Sequence, residues 1–492
     1  MISKNLLKSS FIYTFIGALP LASAFFLLPF YTNYLSKSDF GLLALYISFT
    51  AFIQIVINFG LDTYIAISFF ENKDQKEKLK SQISTIAAYL LILGIIVIFL
   101  LAVFGNQVFA LIFKNERMKF FPFGLMSVAT AFFNSFFKTY TNLLINQKRP
   151  DRFLYVNSFN FVTTIAFSLI GLMLYPFSLT GPIWGRFLSG VGIFIIAIYS
   201  FQHEFGLRVK LGATLRNTFA FSMPVLLFFI LQWVVSNNYP YLIDHLMTAE
   251  DIATFDFAVK CTLLVEFALN GLSSAMMPNV FGILKDKDLR ESTPEINKYF
   301  STFTAVSLVG IPFLTLIIPI ILPLVKIKAD YFEAFVFIAV LGIGFVTRGL
   351  YNYFLAPIYF FKKTMGLPKI YFFKAVIQIT TSIIFIKGWG LWGAVWASLL
   401  TKILQNVFLY IEARRFFVFR FNKFKLIILP LIVIGLISLS ESIFTFQHLL
   451  LKHLIQFTFS LLLVTFVYRK EFKDFVSFVW ETYFKRMATK SR

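Results

Sequence analysis

Residues 391–397 read LWGAVWA, and residues 179–185 read LTGPIWG. Both stretches follow the pattern Leu-x-Gly-[Ala/Pro]-[Val/Ile]-Trp-small, and they begin 212 residues apart. Two short matches can arise by chance in a chain of biased composition. They indicate an internal repeat only if each stretch lies at the same place in a larger unit, so the surrounding sequence decides their meaning.

The composition places most of the chain in lipid. Of the 492 residues, 58% are hydrophobic and 67 are phenylalanine, and the mean hydropathy is +0.77. A water-soluble protein cannot bury that much apolar surface. The net charge of +21 does not indicate a nucleic-acid partner, because the charges cluster between apolar runs and not along one face. With one cysteine, Cys261, and four scattered histidines, we expect no metal site and no cofactor.

Long apolar runs predict an all-α polytopic membrane protein with about 14 transmembrane helices. The runs are too long and too continuous for barrel strands, which alternate. The predicted spans are 11–35, 40–69, 83–113, 120–146, 153–177, 180–202, 217–243, 252–283, 299–325, 331–361, 370–387, 390–413, 424–440 and 446–468.

Lysine and arginine in the loops orient these spans. With the N-terminus in the cytoplasm, the inner segments carry 31 of the 45 Lys and Arg residues and the outer segments carry 8, Lys452 among them. Because the number of spans is even, this bias predicts that both termini are cytoplasmic. It also explains the basic composition, since cationic loops are held at the anionic inner leaflet.

The two opening stretches begin span 6 and span 12, which is the same place in two six-span units. Pro20 in span 1 and Pro224 in span 7 agree with this repeat. Because six is even, both copies begin on the same side, as in transporters built from parallel repeats. The predicted organisation is an N-terminal six-helix lobe at 1–204, a cytoplasmic linker at 205–216, a C-terminal six-helix lobe at 217–413, two additional helices at 414–468 and a basic cytoplasmic tail at 469–492.

Charged residues inside spans are costly, so they are expected to face a cavity or a partner. The basic ones are Lys138, Arg186, Lys260, Arg348, Lys374 and Lys402, and the acidic ones are Asp62, Asp256 and Glu266. We expect Lys138, Arg348 and Lys402 to line a cationic cleft between the lobes and to bind an anionic headgroup.

The other intramembrane charges allow two interpretations each. Lys260 and Arg186 are further candidates for headgroup binding, although Lys260 can pair with Asp256 four residues earlier and Arg186 can anchor at the outer interface. Lys374 is expected to extend to the inner surface. Asp62 and Glu266 are either coupling sites or counter-ions, and we favour counter-ions.

The stretch FIYTFIGALPLASAFFLLPFYTNYLSKSDFGLLALYIS, residues 11–48, resembles the first two helices of Wzx-type lipid-linked oligosaccharide flippases. These belong to the multidrug/oligosaccharidyl-lipid/polysaccharide exporter superfamily. LLPFYTNYLSKSDFG is the most specific part, and the span count, the two lobes and the basic tail also fit. One departure is that members often carry an Asp-Arg pair six residues after a Trp late in span 7, where Tyr239 and Pro240 stand here.

The resemblance implies a bacterial inner-membrane flippase, not an enzyme, for undecaprenyl-diphosphate-linked repeat units of O-antigen, capsule or exopolysaccharide. The implied partners are membrane lipid and the polyprenyl-diphosphate-linked oligosaccharide, with a polysaccharide polymerase and glycosyltransferases as candidates. A lipid II-type flippase, a drug or cation exporter of the same superfamily and a membrane polymerase are alternatives. Asp286-Lys287-Asp288 matches the loose enzyme pattern Asp-x-Asp, but it lies in a short loop, so we interpret it as a solvated charge cluster.

Overall fold

The computed structural model describes residues 16–17, 19–72, 75–208, 213–286, 290–443, 449–469 and 471. The secondary structure of these ranges is helical, which confirms the all-α class. An isolated backbone bridge joins Glu291 and Val418. The start of the first predicted span, linker residues 209–212 and the tail after 471 lie outside the described residues. So do residues 287–289, which include Lys287 and Asp288 of the Asp-x-Asp stretch.

The helices follow the predicted spans in order. They are α1 (Leu19–Phe26), α2 (Leu28–Tyr34), α3 (Lys37–Asn58), α4 (Leu61–Glu71), α5 (Lys76–Ile112), α6 (Leu125–Asn146), α7 (Pro150–Leu174), α8 (Thr180–Glu204), α9 (Ala213–Asn237), α10 (Tyr239–Leu246), α11 (Ala249–Asp286), α12 (Pro294–Leu324), α13 (Phe335–Ile343), α14 (Arg348–Phe360), α15 (Leu367–Trp389), α16 (Leu391–Ala413), α17 (Leu429–Ile443) and α18 (Leu449–Val467). A short kinked turn, with non-helical backbone angles at Phe121, covers Phe120–Gly124. A short π-helical turn covers Phe424–Ile428, and short 3-10 turns cover Ala329–Ala334, Gly344–Thr347 and Thr364–Gly366.

The protein is a multi-pass membrane protein. Twelve helical segments in the described ranges are long and apolar enough to cross a membrane. The two remaining predicted spans are the first, which begins outside the described residues, and the eighth, which corresponds to α11. That helix has 38 residues, so it extends about 57 Å at 1.5 Å per residue, more than the roughly 30 Å hydrocarbon core requires.

Contacts divide the chain into two compact units, Met1–Asp256 and Phe257–Arg492, with the boundary inside α11. In the first unit, α8 packs against α7 and α6, and α6 packs against α3. In the second unit, α16 packs against α15 and α14, α18 packs against α12, and α17 packs against α13. The six-helix lobes at 1–204 and 217–413 stay a prediction.

Large apolar side chains cover the outside of these units, as lipid contact requires. On α5, for example, Phe99 and Leu111 are 67% and 84% exposed, whereas Ile86 and Leu90 on the same helix are buried. In water such a surface would aggregate, but lipid tails are as apolar as the side chains they touch. One face of α5 therefore packs against protein and the other faces lipid.

The glycine of each repeated stretch lies where the backbones of two consecutive helices come close together. A Cβ added at Gly181 would lie 2.5 Å from the backbone of Gly171 in α7, and a Cβ at Gly393 would lie 2.0 Å from the carbonyl oxygen of Phe385 in α15. In both places a helix follows its predecessor through a tight connection and packs back on it. The repeated Leu-x-Gly pattern is therefore explained by backbone packing, because a larger residue would force the two helices apart.

We expect Gly393→Ala and Gly181→Ala to reduce the amount of folded protein in the membrane by more than half, because the added methyl collides with backbone that cannot move alone. Gly388→Ala is the matched control, since nothing lies within 4 Å of a Cβ at that position in α15. Fluorescence-detected size-exclusion chromatography of tagged variants measures the outcome. Equal monodisperse peaks for Gly393→Ala and Gly388→Ala would contradict the packing argument.

Candidate functional site

Arg348 lies at the start of α14 and reaches two side chains of α11. Its Nη1 lies 3.4 Å from Oε1 of Glu266, and its Nη2 donates to Oδ1 of Asn270. The 3-10 turn Gly344–Thr347 precedes α14, so Arg348 begins a new helix in the middle of the predicted span. Its Nε is buried without a hydrogen-bond partner in the described part of the chain. The guanidinium therefore keeps donor capacity beyond its contacts with α11.

Lys402 in α16 approaches the same 3-10 turn. Its Nζ lies 4.0 Å from the centroid of the Phe345 ring, which is a cation–π contact. It also lies 3.5 Å from the position that a Cβ of Gly344 would occupy, so the absent side chain of Gly344 leaves room for the ammonium. Glu266 and Arg348 lie close enough for their charges to act on Lys402. Lys402 thus belongs to the same electrostatic environment as the Arg348–Glu266 pair.

A third cation joins them through α15. Nζ of Lys374 donates to Oε1 of Gln405 at 2.7 Å and lies 5.5 Å from the centroid of the Tyr371 ring. The hydroxyl of Tyr371 is in turn 3.2 Å from that of Tyr351 on α14. The ammonium of Lys374 thus bonds to Gln405 of a neighbouring helix, and its extension to the inner surface stays a prediction.

We call these residues the cation cluster: Glu266, Asn270, Arg348, Tyr351, Tyr371, Lys374, Lys402 and Gln405. The cluster holds three cations and one carboxylate, contributed by α11, α14, α15 and α16. Three cations on neighbouring apolar helices repel one another, and one carboxylate cannot offset all of them. The arrangement is suited to an anionic ligand with oxygen acceptors, which the guanidinium and the ammonium groups can bind directly.

The first unit contains a smaller charged pair. Nζ of Lys138 in α6 lies 3.2 Å from Oδ2 of Asp62 in α4, and the same oxygen accepts a hydrogen bond from Nδ2 of Asn142 at 3.0 Å. Nζ of Lys138 also lies 5.0 Å from the centroid of the Phe229 ring. Asp62 is buried, whereas the Lys138 side chain is 39% exposed, so the carboxylate is held and the ammonium remains accessible.

The two pairs occupy corresponding spans. Asp62 and Lys138 belong to predicted spans 2 and 4, and Glu266 and Arg348 belong to spans 8 and 10. Each cation is followed four residues later by an asparagine, Asn142 or Asn352, whose amide donates a hydrogen bond to an oxygen of span 2 or of span 8. The same pattern of contacts within each unit supports the predicted repeat.

The remaining predicted site residues lie elsewhere. Lys260 is buried on α11, six residues before Glu266. Asp256 accepts a hydrogen bond of 2.7 Å from the hydroxyl of Tyr239. Arg186 lies on α8 and lines a pocket inside the first unit. Within the described residues, no three His, Cys, Asp or Glu side chains come together as metal ligands would.

Sequence reasoning missed four members of the cation cluster: Asn270, Tyr351, Tyr371 and Gln405. A helical signal was present for all four. Asn270 follows Glu266 by four residues, Tyr351 and Gln405 follow Arg348 and Lys402 by three, and Tyr371 precedes Lys374 by three, so each pair shares one face of its helix. Polar residues at these spacings from an intramembrane charge would have identified them.

Comparison with known proteins shows which family the chain belongs to. A family model described as "Polysaccharide biosynthesis protein" matches residues 33–328. The chain belongs to this polysaccharide biosynthesis family. A comparison with curated proteins found no match.

Solved structures show how this polysaccharide biosynthesis protein is folded. It is similar to lipid II flippase MurJ in an inward closed conformation, with a TM-score of 0.70 and 16% identity over 94% of this chain and 99% of that one. It is also similar to an inward-facing multidrug resistance MATE family transporter of the MOP superfamily, with a TM-score of 0.65 and 14% identity over 81% and 94% of the two chains. A MATE structure in complex with MaL6 gives a TM-score of 0.60 and 13% identity over 84% and 95%. The protein therefore has the fold of these transporters.

Proposed function

We propose that the protein is a flippase that moves an undecaprenyl-diphosphate-linked oligosaccharide from the inner to the outer leaflet of a bacterial cytoplasmic membrane. The oligosaccharide is a repeat unit of O-antigen, capsule or exopolysaccharide. The observation that carries this proposal is the cation cluster, which brings three cations, Arg348, Lys374 and Lys402, together with one carboxylate among apolar helices. Membership of the polysaccharide biosynthesis family and the MurJ-like fold support it.

The chemistry of the substrate fits this cluster. A diphosphate diester is a dianion, and taking it into the membrane costs much free energy unless cations replace its hydration. Arg348 has a planar fork of donors that matches phosphate oxygens, and the two lysines add mobile charge. The polyprenyl tail can remain in lipid throughout, so the protein needs to shelter only the polar headgroup.

The rival functions differ in how well the cation cluster fits them. A drug or cation exporter would need an excess of carboxylates, whereas the cluster has an excess of cations. A lipid II-type flippase carries a related diphosphate-linked sugar, so the same cluster would serve it. A membrane polymerase is the rival enzyme, and the described residues offer it no cluster of acids comparable to the cation cluster.

Transport in proteoliposomes tests the proposal. The purified protein is reconstituted with a fluorescent polyprenyl-diphosphate oligosaccharide, and a membrane-impermeant quencher reports the leaflet that each molecule occupies. We expect protein-dependent exchange between leaflets that a neutral polyprenyl glycoside does not undergo. Lipid II in a parallel sample separates the closest rival. Exchange of neither diphosphate substrate, with folded protein present, would rule out the proposed function.

The orientation of the chain is a separate expectation. Because Lys and Arg are concentrated on one side, we expect both termini to be cytoplasmic. Reporter fusions at the following positions should read cytoplasm: Gln75, Lys210, Arg290 and Trp480. Fusions at Thr180 and Met247 should read the outer side. An outer-side signal at Arg290 would contradict the parallel repeat, since that position should lie on the same side as the N-terminus.

The proposed role also implies partners. Glycosyltransferases must build the oligosaccharide at the inner face, and a polysaccharide polymerase must consume it at the outer face. Genes for both next to this one would agree with the proposal.

A further inference from the structure

The first unit contains a polar pocket that is separate from the cation cluster. It has a volume of about 190 Å³ and lies among side chains of α1, α3, α6, α7 and α8. The polar side chains that line it include Gln54, Asn134, Asn160, Thr164, Arg186 and Ser189. Polar and charged side chains are unusual between membrane-spanning helices whose other faces meet lipid.

Arg186 is the charged group of this pocket. Its Nε is buried and has no hydrogen-bond partner among the described residues. The residues that line the pocket include no Asp or Glu. The pocket therefore presents one positive charge without a counter-ion in its wall, and an unpaired guanidinium at such a site is expensive unless a ligand neutralises it.

The neutral lining groups are suited to donate hydrogen bonds. Oδ1 of Asn160 accepts from the hydroxyls of Thr164 at 3.2 Å and Ser189 at 3.3 Å. These contacts fix the orientation of the carboxamide, so its N–H groups are left for other acceptors. Gln54 and Asn134 bring two further carboxamides to the same space. A ligand there would meet several N–H groups and one full positive charge.

We propose that this pocket binds a monovalent anion. One guanidinium neutralises one negative charge, and the volume corresponds to about six water molecules at roughly 30 Å³ each. A whole diphosphate-linked oligosaccharide exceeds that space, so the ligand is a small anion or one acidic group of a larger molecule. The anion is either an inorganic ion of the medium, such as a halide, or the carboxylate of an acidic sugar. The proposal concerns binding alone and does not rest on the proposed transport function.

Binding to the purified full-length protein tests this inference. The protein is held in a bulky sulfonate buffer, and its thermal unfolding is followed while chloride, glucuronate or neutral glucose is added. We expect saturable stabilisation by at least one of the two anions and none by glucose. Stabilisation by chloride alone identifies an inorganic ion as the ligand, and stabilisation by glucuronate alone identifies an acidic sugar.

Variants assign the effect to the pocket. Arg186→Gln should weaken binding by about tenfold or more, whereas Arg186→Lys should retain part of it because the charge remains. Arg152→Gln is the matched control: it removes an exposed arginine of the same unit, which pairs with Glu204, and should bind like the parent protein. If Arg186→Gln does not fold, Asn134→Leu tests the pocket while keeping the charge. No binding of either anion, or unchanged binding in Arg186→Gln and Asn134→Leu, would overturn the proposal.

Discussion

Replacing Arg348 by alanine is expected to reduce transport of the diphosphate-linked oligosaccharide by about thirtyfold or more. Arg348 holds Glu266 and Asn270 on one side and keeps a buried Nε without a partner. The side chains of Arg348 and Glu266 are 24% and 35% exposed, so we use the lower end of the cost of truncating a buried charge partner, about 2 kcal/mol. If the headgroup binds to that guanidinium, a loss of about 2 kcal/mol lowers the affinity for the headgroup by about thirtyfold. Proteoliposome exchange and the amount of surface polysaccharide measure it.

A structural role for Arg348 would also lower transport, so folding must be measured beside activity. Arg348→Gln combined with Glu266→Gln removes both charges and leaves no unpaired carboxylate; this double variant should fold and still fail to transport. Arg348→Lys should retain part of the activity, because the charge survives without the planar fork. Arg415→Ala is the matched control, since Arg415 is 67% exposed and pairs with Glu412, three residues earlier. Normal transport by the alanine variants of Lys138, Arg348 and Lys402 would refute the assignment of these cations to the substrate.

The sequence predicted most helices closely because apolar runs in lipid must be helical to satisfy their own backbone. Predicted span 12, 390–413, is the helix Leu391–Ala413. The places where single spans break were not predicted. Span 2 breaks at Phe59 and Gly60, which both have positive φ, and span 7 breaks before Tyr239 and Pro240. Hydropathy averages over such breaks, although Gly60 and Pro240 were local signals for them.

The candidate site was predicted as a set of charges but not as a set of contacts. Hydropathy identifies Lys138, Arg348 and Lys402 because a charge inside an apolar run is conspicuous. It cannot show that Asp62 meets Lys138, because the two lie 76 positions apart on different helices and only the packing of those helices brings them together. Spacing of three or four residues describes contacts along one helix, and the ion pairs here run between helices.

Lys452 is a second case in which the sequence did not show a contact between helices. Counting loop charges assigned it to the outer surface, but the structure places it within α18, where its side chain is buried against Glu441 of α17. A lysine near the end of an apolar run indicates the end of a span in the sequence. The sequence does not show whether a carboxylate on another helix pairs with that lysine inside the protein. The orientation of the chain does not depend on this one residue.

Glu441 is expected to be the most sensitive single position for stability in the second unit. Its carboxylate is fully buried and accepts hydrogen bonds from Nζ of Lys452 and, at 2.7 Å, from Nε2 of Gln456. Nε2 of His453 lies 3.3 Å from the same carboxylate. Glu441→Leu would leave the Lys452 ammonium buried without a counter-ion, which costs about 3–5 kcal/mol. We expect Tm to fall by roughly 6 °C or more, measured by thermal unfolding of the purified protein in detergent.

A second replacement distinguishes the lost ion pair from a packing defect. Adding Lys452→Met to Glu441→Leu removes the stranded charge, and exchange of a buried ion pair for apolar residues is often close to neutral. The double variant should therefore recover most of the lost stability, whereas a packing defect would leave it as unstable as Glu441→Leu. Glu291→Leu is the matched control, because Glu291 is 44% exposed and pairs with an exposed Arg420, a contact worth about 0–1 kcal/mol. If Glu441→Leu unfolds at the same temperature as Glu291→Leu, the buried pair does not stabilise α17 against α18.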